Sequence, residues 1–319
     1  MKRALVTGGG GFIGSNLVRA LLGEGYAVRV LENFSTGREE NLRGILRDIE
    51  LIDDPQGVLD PEACARAVKG ASCVFHQAAI PSVPRSIQDP VLSDRVNAGG
   101  TLNLLEAARK EGVRRFIYAS SSSVYGDAPG HVRDENDAPC PVSPYAVSKL
   151  ASEHYASLYH RLYGLETVGL RYFNVFGPRQ DPHSEYAAVV PNFIRCLMAG
   201  KRPTIYGDGG QSRDFTYVDN TVHGNLLALK AEGAGGGVFN VATGMCHTVN
   251  ELFSSLQAIM GAEGLEPIHA SPRTGDVRDS QADIRKAGTF LGYSPPVSFE
   301  EGLRRTVQWY ADQAAHHGR

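Results

Sequence analysis

The chain has no long apolar run, no surplus of charge and few cysteines, and each shortage excludes a class of protein. No uninterrupted apolar stretch reaches the roughly 20 residues that a membrane-spanning helix needs. The formal net charge is only −3, so nothing draws the chain to a phosphate backbone or an anionic bilayer. No nucleic acid and no membrane are expected as partners. Five cysteines, at 64, 73, 140, 196 and 246, are odd in number and scattered. They have neither metal-ligand spacing nor the look of a disulfide framework, so reduced thiols and a cytoplasmic location are expected, and no metal site. Met1-Lys2-Arg3 is followed by only three apolar residues before Thr7, too few for the core of a signal peptide. There is no repeat, and no low-complexity tract beyond Gly233 to Gly237. His316-His317-Gly318-Arg319 reads as a disordered tail, not a metal site.

What is present is an ordinary globular composition, 42% hydrophobic and 21% charged, in 319 residues. That length exceeds one typical core, so two lobes are expected. Lys2 to Thr7 reads as a short buried strand. Phe12 to Gly23 reads as an amphipathic helix with Ile13, Leu17, Leu21 and Leu22 on one side. Between them Thr7-Gly8-Gly9-Gly10-Gly11-Phe12-Ile13-Gly14 sets glycines 8, 11 and 14 at a strand-to-helix turn. Without Cβ atoms, backbone N–H groups can approach a pyrophosphate, and the helix N-terminus adds partial positive charge. A second strand, Tyr26 to Leu31, ends at Glu32, 18 residues past Gly14, close to the offset of the acid that binds ribose hydroxyls. Its charge would repel a 2′-phosphate, which favours NAD over NADP. Arg29 and Arg38 stand nearby and keep NADP open.

Further on, Cys73 to His76 is a short apolar run ending at Gln77-Ala78-Ala79. Asn97 to Glu111 reads as a helix, and Arg115 to Ala119 as a strand that runs into Ser120 to Ser123. Tyr145 to Tyr163 reads as a helix closed by Gly164, and Thr167 to Tyr172 as another strand. Strands separated by helices imply a parallel sheet covered on both faces, with ligands at the carboxyl ends of the strands. After Asn174 the turn-rich Phe176 to Pro182 leaves that pattern, and Val238 to Val241 is expected to return to the sheet.

Tyr145 and Lys149, spaced i, i+4, share one helix face. A tyrosine ordinarily titrates near 10. A lysine ammonium and a cationic nicotinamide beside it would favour the phenolate and make Tyr145 a general base. A serine of the 120–123 run could share its hydrogen bond to a substrate oxygen. Behind a dinucleotide cradle, this pair reads as proton transfer accompanying hydride transfer.

TGGGGFIG, SSSSVYG, YAVSK and LRYFNVFGPR resemble the extended short-chain dehydrogenase/reductase family, and within it the nucleotide-sugar branch of UDP-sugar 4-epimerases. The similarity runs from residue 3 to about 310. It implies an α/β fold, a doubly wound parallel Rossmann sheet with a smaller α/β substrate-binding domain. Residues 1–172 would bind NAD, with a return to that domain around 214–243. Residues 173–319 would mainly bind the UDP-sugar. Ser121, Tyr145 and Lys149 would be catalytic. NAD would meet Gly8, Gly11, Phe12, Ile13, Gly14, Glu32, Asn33, Gln77, Ala78, Ala79, Asn97, Ser120 and Tyr172 besides Tyr145 and Lys149. Asp54 is the candidate for the adenine, in a stretch (52–58) that departs from the family's pattern. The UDP-sugar would meet Ser82, Arg85, Ser121, Ser122, Asn174, Val189, Thr204, Tyr206, Arg213, Arg273, Asp276 and Ser280. A guanidinium fork suits diphosphate oxygens, hence the two distal arginines.

The family's 4,6-dehydratases carry Asp-Glu after the catalytic threonine, and its UDP-glucuronate decarboxylases carry a glutamate just before VYG. Here those positions are Ser122 and Ser123. The resemblance therefore implies oxidation and reduction at one carbon, C4, through a 4-keto sugar. Ser280, where a tyrosine would exclude an N-acetyl group, implies UDP-GlcNAc/UDP-GalNAc and also UDP-Glc/UDP-Gal. UDP-glucuronate is an alternative, with Arg85 or Arg179 for its carboxylate. A dehydratase or reductase, or a non-catalytic NAD-sensing scaffold, are further alternatives. The family's pairing of the helices near 97–112 and 145–163 implies a homodimer.

Overall fold

A computed structural model describes residues 2–127, 130, 132–182, 188–271 and 278–317. Arg273 and Asp276 lie outside the described residues, as do residues 183–187 and the last two of the tail.

The strands in chain order are β1 (Arg3–Thr7), β2 (Ala27–Glu32), β3 (Ile49–Asp53), β4 (Cys73–His76), β5 (Arg115–Ser121), β6 (Val132–Arg133), β7 (Glu166–Tyr172), β8 (Val175–Phe176), β9 (Thr204–Tyr206), β10 (Ser212–Arg213), β11 (Thr216–Tyr217), β12 (Val238–Val241), β13 (His247–Thr248), β14 (Ile268–Ala270) and β15 (Asp279–Ala282). The helices are α1 (Phe12–Gly23), α2 (Pro61–Val68), α3 (Val83–Gln88), α4 (Pro90–Asp94), α5 (Gly100–Glu111), α6 (Pro144–Tyr163), α7 (Val189–Met198), α8 (Val218–Lys230), α9 (Val249–Met260), α10 (Arg285–Leu291) and α11 (Phe299–His317).

Seven strands form one sheet in the order β12-β7-β5-β4-β1-β2-β3, every pairing parallel. The period of two along each strand decides which core a residue joins. Ala4 and Val6 of β1 enter one apolar cluster with Leu17 and Leu21 of α1. Leu5 enters another with Leu104 and Leu105 of α5. Cys73 and Phe75 of β4 likewise face the first cluster, and Val74 the second. The sheet is therefore doubly wound, with both faces covered. Its order reverses beside β1, so β1 and β4 diverge at their carboxyl ends and open a crevice there.

Three smaller sheets follow: β13-β10-β15-β6, β11-β8 and β14-β9. α7 and α9 pack near them through Phe193 and Phe253, whose rings meet edge to face at 6.0 Å. α6 starts at Ser143, whose hydroxyl accepts from the Ala146 N–H. Pro144 takes the first helical position, and the helix ends at left-handed Gly164. The helix expected over 97–111 is more complex. A π-helical turn, Arg95–Gly99, precedes α5. Its buried Asn97 accepts from the Ile80 N–H at 2.8 Å and donates to Ser148 at 3.0 Å, tying the loop after β4 to α6.

Candidate active site

The carboxyl ends of β1, β2, β4, β5 and β7 surround a cavity of about 750 Å³. Gly8, Gly11, Phe12, Ile13, Gly14, Glu32, Asn33, Gln77, Ala78, Ala79, Ser120 and Tyr172 line it, as do Ser121, Ser122, Tyr145, Lys149, Ser82 and Arg85. The crevice thus gathers most of the residues the sequence assigned to cofactor and chemistry.

Its glycine loop fits a dinucleotide for a reason visible in the backbone. A Cβ on Gly14 would lie 2.1 Å from the Gly8 carbonyl oxygen, and Gly8 itself has a φ of +69°. The loop closes tightly on the start of α1. That helix has no side-chain cap and no acid in its first turn, so its leading N–H groups are open to an anion. Glu32 is buried at the wall. Its carboxylate accepts from the N–H groups of Gly10 (2.8 Å), Asn33 (2.9 Å) and Phe34 (3.0 Å). A carboxylate has about four acceptor sites, so one remains for a ribose hydroxyl. These features suit a dinucleotide.

Arg29 does not reach this cavity. Its buried guanidinium donates to the carbonyls of Ala67 and Lys69 and pairs with Glu50 at 2.9 Å. Arg38 does line it and meets Asp181 at 3.2 Å. Asp54 is spent locally, accepting from the Gln56 and Gly57 N–H groups and pairing with Arg66 at 2.9 Å. The cavity wall there is Gln56, Gly57 and Val58 instead. Asn97 supports the wall from behind and is not among its lining residues.

At the mouth of β5, Ser121 caps a 3₁₀ turn over Ser122–Tyr125, accepting from the Ser123 N–H and donating to the Ser123 hydroxyl at 3.0 Å. The Tyr145 phenol stands in the same cavity as the Ser121 hydroxyl. Lys149 lies one turn along α6, with Nζ 5.9 Å from the Tyr145 ring centre and donating to the Ala119 carbonyl at 2.8 Å. Burial holds the Tyr145 phenol above its ordinary value, and the nearby Ser121 hydroxyl only partly opposes that. Burial likewise pushes Lys149 down to about 8, while Glu153 raises it.

A second cavity of about 180 Å³ adjoins the first at Asn174, which lines both. Val189, Thr204, Tyr206 and Arg213 line it with Asn192, Phe193 and Phe215. Asn174 has a left-handed φ of 33°, an outlier of the kind that clusters at ligand sites. Ser280 pairs with Arg213 across β10 and β15, and its carbonyl accepts from the Asp214 N–H. It does not line either cavity among the described residues.

The sequence marked Phe176 to Pro182 as a turn-rich departure and offered Arg179 to a carboxylate, but it did not foresee that Pro178 and Arg179 bind α1. Asn16 of α1 donates to the Pro178 carbonyl and accepts from the Arg179 guanidinium, and Asn41 donates to the Gly10 carbonyl beside them. No local pattern signals the Asn16 contacts, which join residues more than 160 apart. It also missed Glu153, which the Tyr145–Lys149 spacing carried one turn further would have reached.

A sequence profile of the NAD dependent epimerase/dehydratase family matches residues 4–242. The UDP-glucose 4-epimerase of Mycolicibacterium smegmatis is 40% identical over 98% of this chain and 99% of its own. The crystal structure of UDP-glucose 4-epimerase from Thermotoga maritima with UDP-glucose superposes with a TM-score of 0.92, at 41% identity, covering 98% of this chain and 99% of that one. UDP-N-acetylglucosamine 4-epimerase from Methanobrevibacter ruminantium in complex with UDP-N-acetylmuramic acid gives a TM-score of 0.93 at 39% identity, covering 98% and 99%.

Proposed function

We propose that this chain, which belongs to the NAD dependent epimerase/dehydratase family, is a UDP-sugar 4-epimerase, an isomerase that inverts one carbinol carbon of a UDP-hexose. One observation carries the reading. Tyr145, Ser121 and Lys149 stand in a single cleft, between a dinucleotide cradle and, through Asn174, a second cavity lined by Arg213. Residues 1–172, with the return strand β12, form the cofactor part, and most of 173–319 the sugar-nucleotide part.

NAD, held by the glycine loop and Glu32, supplies a hydride acceptor and donor at C4. The residues supply the proton chemistry. Ser121 and Tyr145 share the sugar 4-hydroxyl, Tyr145 takes its proton as the hydride leaves, and Lys149 lends positive charge from the same helix face. Arg213 and Asn174 hold the diphosphate, so the 4-keto sugar can turn over without leaving. Tyr145 then returns the proton when the hydride returns to the other face. Ser122 and Ser123 offer no carboxyl group to expel water or to favour loss of CO₂, which supports inversion over elimination.

The substrate pair is UDP-GlcNAc/UDP-GalNAc together with UDP-Glc/UDP-Gal, supported by the likeness to both a UDP-glucose 4-epimerase and a UDP-N-acetylglucosamine 4-epimerase. A homodimer is supported by exposed apolar residues: Ile87 and Val91 on α3 and α4, and Val147, Tyr155, Leu158 and Leu162 on α6. Among the described residues no helix is long and apolar enough to cross a membrane.

The test is incubation with UDP-Glc, UDP-GlcNAc and UDP-GlcUA separately, reading the C4 configuration by NMR. Inversion of the first two is expected. A stable 4-keto product or net NADH consumption would overturn the epimerase reading, and inversion of UDP-GlcUA alone would overturn the sugar assignment.

A further inference from the structure

We propose that Glu153 is a positioning residue for proton transfer: held by Arg171, its carboxylate binds Ser120 and so fixes the end of β5, where Ser121 stands, against the Tyr145–Lys149 face of α6. The proposal rests on the reading that Ser121, Tyr145 and Lys149 carry the chemistry.

Tyr145, Lys149 and Glu153 follow one another at i, i+4 and i+8, so they occupy successive turns of one face. Glu153 is 6% exposed and does not line the cavity. Arg171 of β7 meets it through two contacts, Nε to Oε1 at 2.9 Å and a terminal nitrogen to Oε2 at 2.7 Å. The guanidinium also lies 4.6 Å from the ring centre of Tyr125, at the end of the serine stretch. Ser120 donates to Oε1 of the same carboxylate. On either side of Ser120 are Ala119, whose carbonyl takes the Lys149 ammonium, and Ser121, which shares the cavity with Tyr145. One carboxylate therefore joins β5, α6 and β7 at the point where all three reactive groups converge.

Stability does not account for this pair. Two charges removed from water gain little over apolar residues of the same volume. What the pair adds is direction. A two-point guanidinium–carboxylate contact holds the carboxylate in one orientation, and a further acceptor site on Oε1 reads the position of Ser120. Small errors in the placement of reacting groups cost far more in rate than in binding.

The experiment compares Ser120→Ala, Ser120→Thr, Glu153→Gln and the Ser120→Ala/Glu153→Gln pair in the NAD-loaded protein, on the UDP-sugar it turns over. Ser120→Ala should lower kcat per NAD-loaded site about tenfold, with KM unchanged. Ser120→Thr, which keeps the hydroxyl, should recover to within about twofold. Glu153→Gln should lower kcat at least as far, and the double variant should be no slower than the slower single. If Glu153→Gln fails to fold, the serine variants decide alone. Wild-type kcat in Ser120→Ala, a threonine no better than alanine, or a loss confined to KM or NAD content would each overturn the proposal. Tyr145→Phe, run alongside, separates the two levels: full activity there sinks the reading of the site, whereas an inactive Tyr145→Phe beside a fully active Ser120→Ala sinks only the role of Glu153.

Discussion

The two cavities are built on opposite plans. Around the larger one, backbone does most of the work: a glycine loop, a helix N-terminus, strand ends and a carboxylate gripped by three N–H groups. Around the smaller one, single side chains from separated segments converge, with Asn174, Val189, Thr204 and Arg213 each on its own element or turn. A backbone-built site tolerates little change in shape and much in side-chain chemistry. A side-chain-built site should show the reverse. Each prediction below strains one side of that contrast.

The largest effect is expected where the halves meet. Tyr145→Phe keeps the ring and deletes the one group that can carry the proton. General acid–base catalysis contributes about 10²–10⁴ in rate. A loss of kcat of about 10³-fold is expected, with NAD content and UDP-sugar affinity retained. Steady-state kinetics and titration of a UDP-sugar would check it, and undiminished turnover would remove the chemical centre from the scheme.

Gly14→Ala tests the backbone-built side. Its new Cβ would fall 2.1 Å from the Gly8 carbonyl oxygen, and neither a backbone carbonyl nor a buried helix start can yield cheaply. The protein should be purified without NAD and bind added NAD at least about 100-fold more weakly, the scale of about 2.7 kcal/mol. Binding of a UDP-sugar at the distal cavity should survive. Wild-type NAD content would show that the loop is less rigid than its geometry.

Arg213→Ala tests the other side. A hydrogen bond to a charged group contributes about 1.5–3 kcal/mol. KM for the UDP-sugar should rise roughly 10- to 100-fold while NAD stays bound and kcat falls less. The split between NAD content and KM, inverted relative to Gly14→Ala, is the measurement that decides whether the contrast is real.

The same contrast explains what could be read from the sequence. β1, α1, β4 and β12 were legible to within a residue, because strands buried on both faces read as short continuous apolar runs and α1 carries a helical period. Gly8 to Gly14 and Tyr145–Lys149 were legible because each is a short-range pattern. β8, β10, β11 and β13 are two residues long and carry no period, so the distal elements left no trace beyond the family resemblance. The π-helical turn at Arg95–Gly99 has no sequence signature either, and it places Asn97 behind the wall instead of in it. Asp54 was a candidate only through the family's acid in the loop after the third strand, and here a nearby turn and Arg66 take its carboxylate.

The smallest effect concerns a side chain buried under the backbone-built half. His76 sits in β4 between Thr7 at 2.8 Å and Thr101 at 2.9 Å, linking the strand before the glycine loop to α5. Burial, with the Lys149 charge adding to it, lowers its imidazole to about 3 from an ordinary 6.5. Between those values the unfolded chain binds a proton that the folded one refuses, so stability rises with pH in that window and is lost as pH falls below 6.5. At pH 5 the loss should be about 2 kcal/mol relative to pH 7.5, since each unit of pH in the window contributes about 1.36 kcal/mol. Urea unfolding at the two pH values measures it, and His76→Gln isolates the imidazole from carboxylates that titrate lower. The variant should be less stable at pH 7.5 and should lose less between pH 7.5 and 5. An equal loss in both proteins would mean that His76 takes up a proton in the folded state, and that the polar link beneath the glycine loop is looser than its distances imply.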